Sequence, residues 1–297
     1  MQTKTIRKNI QNKMNEWLST IIDEKLRTSV KNSLLVSGGC IASMFLNEEV
    51  NDYDIYIEKY DILLELIQYY AVPYGNIEIL EGKNKYSILS RFFDGTEHQS
   101  MFASMVRNLK DDQIKLYIKD DGGGFRVNNN IKEDDLKYVP VFFSPNAISL
   151  SNNIQIVLRF HGDAKEIHKN FDFIHATNYF TFKDGLVTNK EAVESILTKQ
   201  LKYLGSLYPL TSILRMKKFV KRDWNINAGE VLKIMLQISE LNLKDPDILE
   251  EQLIGIDVAY FSEVIRILRS VNIENHTSHY INTIIDRVFN DSEEASI

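Results

Sequence analysis

The sequence predicts an α+β protein, a mixed α/β head carrying a β-rich insertion and followed by an all-helical body. Three observations carry this. Up to about residue 189, apolar runs of strand length alternate with helix-length stretches; from Lys190 onward the apolar spacing is helical throughout. A succession of strands and then helices is the order of an α+β chain. The third observation is local: the apolar run Leu34-Leu35-Val36 closes in Ser37-Gly38-Gly39, a helix-length stretch follows, and residues 50–58 then alternate as a strand does.

Taken in order, residues 5–30 read as one amphipathic helix, with Ile6, Ile10, Met14, Trp17, Leu18, Ile21 and Ile22 near helical spacing. That helix is expected to pack on the sheet of the head. A strand at 34–36 and a helix opening at Cys40-Ile41-Ala42-Ser43 come next, then a polar turn at Asn47-Glu48-Glu49. In the strand 50–58, Asp52, Asp54 and Tyr56 share one side, and Tyr53, Ile55 and Ile57 the other. A helix over 61–70 is broken by Pro73-Tyr74-Gly75 before a strand at 76–80, giving a βαβαβ-like order. Residues 86–93, 113–119 and 139–143 are β-like, with a helix over 99–109. Gly122-Gly123-Gly124 and Asn128-Asn129-Asn130, on either side of Phe125-Arg126-Val127, read as hairpin loops rather than a phosphate cradle. A strand over 152–160 leads into a short helix after His161-Gly162-Asp163. The body reads as helices over 191–203, 210–221, 228–241, 248–253, 258–271 and 279–289, with joints at Pro246 and Gly255. The expected division is a helix at 1–30 packed on the head, a head at 31–189 with an insertion at about 82–145, a helical neck and body at 190–290, and a frayed tail at 291–297.

Composition narrows the function. The chain has 297 residues, 44% of them hydrophobic and 26% charged, enough for two or three small cores. A net charge of -6 disfavours long duplexes and broad RNA tracts as partners, since both reward a basic surface. The local exception is Arg215, Lys217, Lys218, Lys221 and Arg222 within one helix length, which reads equally as a solvated basic face. The single cysteine, Cys40, excludes an internal disulfide and reads as a small core residue. No apolar run approaches the roughly 20 residues of a membrane span, and the expected location is intracellular.

The chemistry is read from residues 34–58. Glycines let a phosphate approach the backbone, and the first N–H groups of the helix after Gly38-Gly39 suit an anion, with the Ser37 hydroxyl as a further donor. Asp52 and Asp54, aimed the same way, repel each other unless a cation lies between them. Mg²⁺ takes a few carboxylates together with substrate phosphate oxygens. Read singly, a diglycine is an ordinary turn and an Asp-x-Asp strand a solvated edge. Strand, diglycine, helix and acidic strand in succession favour a metal and triphosphate site.

On these residues the chain resembles the polymerase-beta-type nucleotidyltransferase superfamily, whose signature is a diglycine or Gly-Ser turn, a helix and an acid-hydrophobic-acid strand. A second stretch resembles the tRNA CCA-adding enzymes and bacterial poly(A) polymerases: Asp172-Phe173 matches the Asp-Phe of their motif, and Tyr208-Pro209-Leu210 with Arg215-Met216-Lys217-Lys218-Phe219 their neck helix. The resemblance covers roughly residues 30–60 and 150–225 and looks like a remote member of the kind carried by bacteriophages, acting in the host cytoplasm. It implies transfer of a nucleoside monophosphate from a nucleoside triphosphate to a hydroxyl, an RNA 3′ end first. It also implies Asp52 and Asp54 as catalytic metal ligands for Mg²⁺, and Ser37, Gly38, Gly39, Asp172, Arg215 and Lys218 as nucleotide contacts, with an RNA end against the basic helix 215–222. The chain departs from the family pattern at Ala42-Ser43, Asn170-Phe171 and Ala176, and at Gln155, where a third acid is expected. Two further readings therefore stay open. One is the same chemistry on a protein or small-molecule hydroxyl, and the other a non-catalytic descendant that binds nucleotide or a partner. His161, His168 and His175 recur every seventh residue but straddle different elements, so no zinc site is assigned.

Overall fold

The computed structural model describes residues 1–85, 106, 109–118, 125–127, 137–253, 259–271 and 277–290. The chain is an α+β protein whose residues form two compact units, one of Met1–Lys169 with His175–Leu197, the other of Asn170–Ile174 with Thr198–Ile297. Among the described residues no helix is long and apolar enough to cross a membrane.

The first unit begins with two helices where the sequence suggests one. Helix α1 (Thr3–Ser19) buries Ile6, Ile10, Met14, Trp17 and Leu18 along one stripe, and α2 spans Glu24–Ser33. The break has local causes: the Thr20 hydroxyl bonds back to Trp17 O, and the Asp23 carboxylate accepts from the Leu26 N–H as an N-cap. The chain turns there, so Ile21 is buried and Ile22 is 87% exposed. Strand β1 (Leu34–Ser37), helix α3 (Gly39–Leu46), strand β2 (Tyr53–Ile57) and helix α4 (Tyr60–Ala71) follow. Trp17 Nε1 donates to Tyr70 Oη at 3.0 Å, tying α1 to α4 beneath the sheet.

The strand after α4, β3 (Ile77–Glu81), does not extend a βαβαβ sheet. It pairs antiparallel with β4 (Ile114–Ile118) in a two-stranded ribbon. Gly82 fixes this pairing. Its N–H donates to Gln113 O, and a Cβ there would overlap the backbone carbonyl of Lys110, so only glycine allows the approach. The strand and helix expected at 86–93 and 99–109, and the loops at 122–124 and 128–130, lie outside the described residues for the most part.

The main sheet has eight strands. Added to β1 and β2 are β5 (Phe125–Arg126), β6 (Pro140–Ser144), β7 (Ala147–Leu150), β8 (Ile154–Val157), β9 (Tyr179–Thr181) and β10 (Gly185–Val187), in the order β10-β9-β1-β2-β8-β7-β6-β5. The β2–β8 pair is parallel and the others antiparallel. Alternation sorts the two faces. Val36, Ile55, Ile57, Ile154, Ile156, Ile148, Leu150, Phe143 and Phe180 form the core with the apolar stripes of α1 to α4. The other face carries Ser37, Asp54, Gln155 and Ser149 in one row, set by the register Ser37↔Asp54, Asp54↔Gln155 and Ser149↔Gln155. A short helix, α5 (Ala164–His168), is N-capped by Asp163.

Helix α6 (Lys190–Thr198) stops five residues before the helix read from the sequence. Lys199 adopts a left-handed φ of 49°, which ends the helix, and Gln200–Leu201 forms β11, parallel to β12 (Asn225–Ile226). The second unit contains α7 (Pro209–Val220), α8 (Ala228–Ser239), α9 (Pro246–Gln252), α10 (Ala259–Arg269) and α11 (Ser278–Asn290). Proline stands in the first turn of α7 and α9, where its missing N–H costs nothing. Buried Glu230 on α8 anchors the incoming chain by accepting from Tyr203 N at 2.7 Å, and Lys233 balances its charge at 2.9 Å.

Candidate active site

The site is built where β1 ends. Val36 and Leu34 anchor β1 in the core, so Ser37 is the last strand residue, Gly38 the turn and Gly39 the first residue of α3. Gly38 has φ 95° and ψ -153°, a conformation that side-chain-bearing residues rarely take. Its neighbour explains why the turn is there. A Cβ at Gly38 would stand 2.9 Å from Asp54 Oδ2, so the missing side chain is the space that the carboxylate occupies. Gly39, in contrast, is exposed, with nothing within 4 Å of where its Cβ would be. An open approach to the N-terminus of α3 therefore lies directly beside a half-buried carboxylate.

Ser37 is fully buried, and its hydroxyl is committed inward. Its Oγ lies 2.9 Å from Asn178 O, 3.1 Å from Ala176 O and 2.9 Å from His168 Nε2. A hydroxyl has one proton, so Ser37 donates to one of these three partners only, and the direction of its bond to His168 is set by the histidine tautomer. Burial holds the His168 imidazole down to a pKa of about 4, with Asp163 pulling weakly the other way. The Gly38 N–H donates to Ala176 O at 3.1 Å. Neither Ser37 nor the Gly38 amide thus points to an incoming phosphate; the donors left to α3 are the N–H groups of its first turn. His168 has a structural role that its seven-residue spacing from His161 and His175 does not signal. It stands against Ser37 and edge-on to Tyr179, with ring centroids 5.7 Å apart, covering the β1–β9 side of the polar face.

Asp54 lies between Ser37 and Gln155 in register, while Asp52, exposed, stands two residues earlier, just ahead of β2. Burial first, and then the neighbouring Asp54 carboxylate, push the Cys40 thiol well above its ordinary value, so the cysteine is an inert core residue. Gln155 Nε2 is 3.5 Å from Ser149 Oγ. Among the described residues no three His, Cys, Asp or Glu side chains gather as a metal site. His161 instead meets Asp112 O at 2.9 Å and the edge of Tyr60.

In the second unit, Asp172 and Arg215 meet. Asp172 is 6% exposed and accepts from Arg215 Nη1 at 2.9 Å, and Arg215 keeps nearly half of its side chain in solvent. Lys218 lies three residues further along α7 and is exposed. Phe173 is in the core of this unit, edge-on to Tyr203 and Phe219. The structure therefore groups Gly38, Gly39 and Asp54 in one unit and Asp172 with Arg215 in the other.

The family model described as Gabija anti-defense 2 family protein matches residues 8–199. A curated relative, "Gabija anti-defense 2" of Bacillus phage SPbetaL7, is 21% identical over 248 residues; these are 83% of this chain but 46% of the relative, so the chain spans about half of that protein's length. Among solved structures, a CCA-adding enzyme in complex with ATP is similar at 13% identity and a TM-score of 0.41, covering 97% of this chain and 60% of that one. A Thermotoga maritima CCA-adding enzyme complexed with tRNA is similar at 15% identity and a TM-score of 0.38, covering 89% and 55%.

Proposed function

The chain belongs to the Gabija anti-defense 2 family, and within that family we propose that it is a metal-dependent nucleotidyltransferase, moving a nucleoside monophosphate from a nucleoside triphosphate to a hydroxyl, an RNA 3′ end first. The observation that carries the reading is the fit between Gly38 and Asp54: a positive-φ glycine turn whose absent side chain makes room for a carboxylate, beside an open helix N-terminus.

The residues fit one divalent cation. Asp54 and Asp52 would hold it through hard carboxylate oxygens, with the neutral Gln155 beside Asp54 in register. Mg²⁺ bound there would offset phosphate charge and polarise the α-phosphorus. The N–H groups in the first turn of α3 hold the triphosphate by hydrogen bonds and the helix dipole, unobstructed at Gly39. The acceptor oxygen bonds to the α-phosphorus, the bond to the β-phosphate breaks, pyrophosphate leaves, and the hydroxyl proton passes to water. Within the second unit, Asp172 orients Arg215, and Arg215 and Lys218 on the basic helix 215–222 offer cations to nucleotide or RNA phosphates. The same chemistry directed at a component of a host defence would suit the family's name.

The test is pyrophosphate release with each of the four triphosphates, RNA and Mg²⁺, together with transfer of labelled nucleotide to the acceptor. Asp54→Asn is expected to abolish both. Label on protein or metabolite and not on RNA would redirect the acceptor. A second reading is favoured by Gln155, because Asp54 has neutral cross-strand neighbours on both sides. In that reading the chain binds nucleotide without transferring it, and thermal stabilisation by Mg·NTP would occur without pyrophosphate.

A further inference from the structure

From the register of the main sheet we infer that a single-stranded RNA 3′ end lies across the polar face over β8, β7, β6 and β5, held by Gln155, Ser149, Phe142 and Arg126. The inference rests on the transferase reading of Asp54 and supplies the path of its acceptor. Directly opposed residues on neighbouring strands point to the same face. The pairings Asp54↔Gln155, Ser149↔Gln155, Phe142↔Ser149 and Arg126↔Phe142 therefore string these side chains into one row that starts at the candidate catalytic carboxylate. The β6–β7 pairing is regular from Phe142 to Ser144, and its register shift falls beyond the row, between Pro140 and Phe142.

Two observations decide the direction and the occupant. On the β1–β9 side the same face is closed, because Ser37 is fully buried beneath His168 and Tyr179. On the other side, Gln155, Ser149 and Phe142 are all half-buried and Arg126 is exposed, while the alternate residues Ile154, Ile148 and Phe143 are buried in the core. Access to Asp54 along the sheet thus runs over β8 to β5. The row's chemistry is graded. Next to the carboxylate come neutral donors and acceptors, an amide and a hydroxyl suited to ribose hydroxyls. Then comes an aromatic ring on which a base stacks, and last a guanidinium for phosphate. Four inter-strand steps of about 4.8 Å put Arg126 roughly 19 Å from Asp54, the reach of a few nucleotides rather than a single one. A peptide would use sheet-edge hydrogen bonds instead, and a duplex needs a broad basic surface that a chain of net charge -6 lacks.

The test is fluorescence anisotropy with a labelled single-stranded oligoribonucleotide, which requires no turnover. Phe142→Ala is expected to weaken binding about tenfold or more, the loss of one stacked base. Arg126→Gln is expected to weaken it and to flatten the slope of log affinity against log salt by about 0.7, one phosphate contact on a single strand. The matching duplex should bind more weakly than the single strand. Unchanged binding in both variants, with circular dichroism confirming their fold, overturns the inference, as does equal affinity for duplex. Mg·NTP thermal stabilisation, measured on the same proteins, separates the two levels. If it is retained while RNA fails to bind, the acceptor path is wrong and the nucleotide site stands; if it is absent in the wild type, the transferase reading itself falls.

Discussion

Gly38→Ala is the perturbation with the most to say about the site. Two effects act together. The glycine sits at φ 95° and ψ -153°, a region that costs a side-chain-bearing residue about 1–3 kcal/mol. The new methyl would also stand 2.9 Å from Asp54 Oδ2, closer than real Cβ atoms come, so the carboxylate must swing away by several tenths of an ångström. Strain on this scale lowers Tm by roughly 2–4 °C per kcal/mol for a domain of this size. The displaced carboxylate should reduce nucleotide transfer more than the stability loss explains, because misplacing a reacting group by about 1 Å costs on the order of a hundredfold. Gly39→Ala is the internal control: its Cβ meets nothing within 4 Å, so stability should be kept while the phosphate approach narrows. Differential scanning calorimetry and a pyrophosphate-release assay read the two effects separately. If Gly38→Ala is as stable and as active as the wild type, the turn is not shaped around Asp54 and the reasoning fails.

Other outcomes follow from the same geometry. Ser37→Ala leaves the Ala176 and Asn178 carbonyls and His168 without their shared hydroxyl, and should cost about 1–3 kcal/mol in urea denaturation. His168 is neutral in the fold, with its pKa lowered from 6.5 to about 4, so the unfolded chain binds the extra proton. Its contribution is complete above pH 6.5 and is lost as pH falls toward 4; a Tm–pH profile of His168→Gln should be flatter than that of the wild type across that window. In the second unit, Arg215→Ala leaves the buried Asp172 carboxylate without its partner and should destabilise by about 1–3 kcal/mol, whereas exposed Lys218→Ala should stay within about 0.5 kcal/mol, both measured by chemical denaturation.

Much of the fold was legible because local rules decide it. The strand at Leu34-Leu35-Val36, the diglycine turn, the alternation around Asp54 and the helices from Pro209 onward follow from periodicity and from glycine and proline chemistry. What sequence left open was set by contacts between distant residues. Whether β3 joins the main sheet depends on Gly82 reaching Lys110 and Gln113 through space. The break between α1 and α2 had a visible signal in Asp23, a good N-cap, but the apolar stripe ran on through Ile21 and Ile22 and masked it. Ser37 illustrates the same limit within the site. A serine before a diglycine suits a phosphate donor, and only the folded chain turns its hydroxyl toward His168, Ala176 and Asn178.

The neutral flanks of Asp54 bear on what the site can do. A row of three acids would hold more cation charge and supply a base for the acceptor hydroxyl; here Ser37 and Gln155 stand on either side of one carboxylate, and Asp52 lies exposed at the strand entrance. Neutral neighbours on both strands spare Asp54 a like charge directly across the register. The cost falls on acceptor activation, which must come from water or from the acceptor's own surroundings. Gln155→Glu separates the two readings of this chain. If the chain is a transferase limited by its missing base, the added carboxylate should raise the rate of transfer at constant nucleotide affinity. If the chain only binds nucleotide, the same substitution should change Mg²⁺ dependence of thermal stabilisation and release no pyrophosphate.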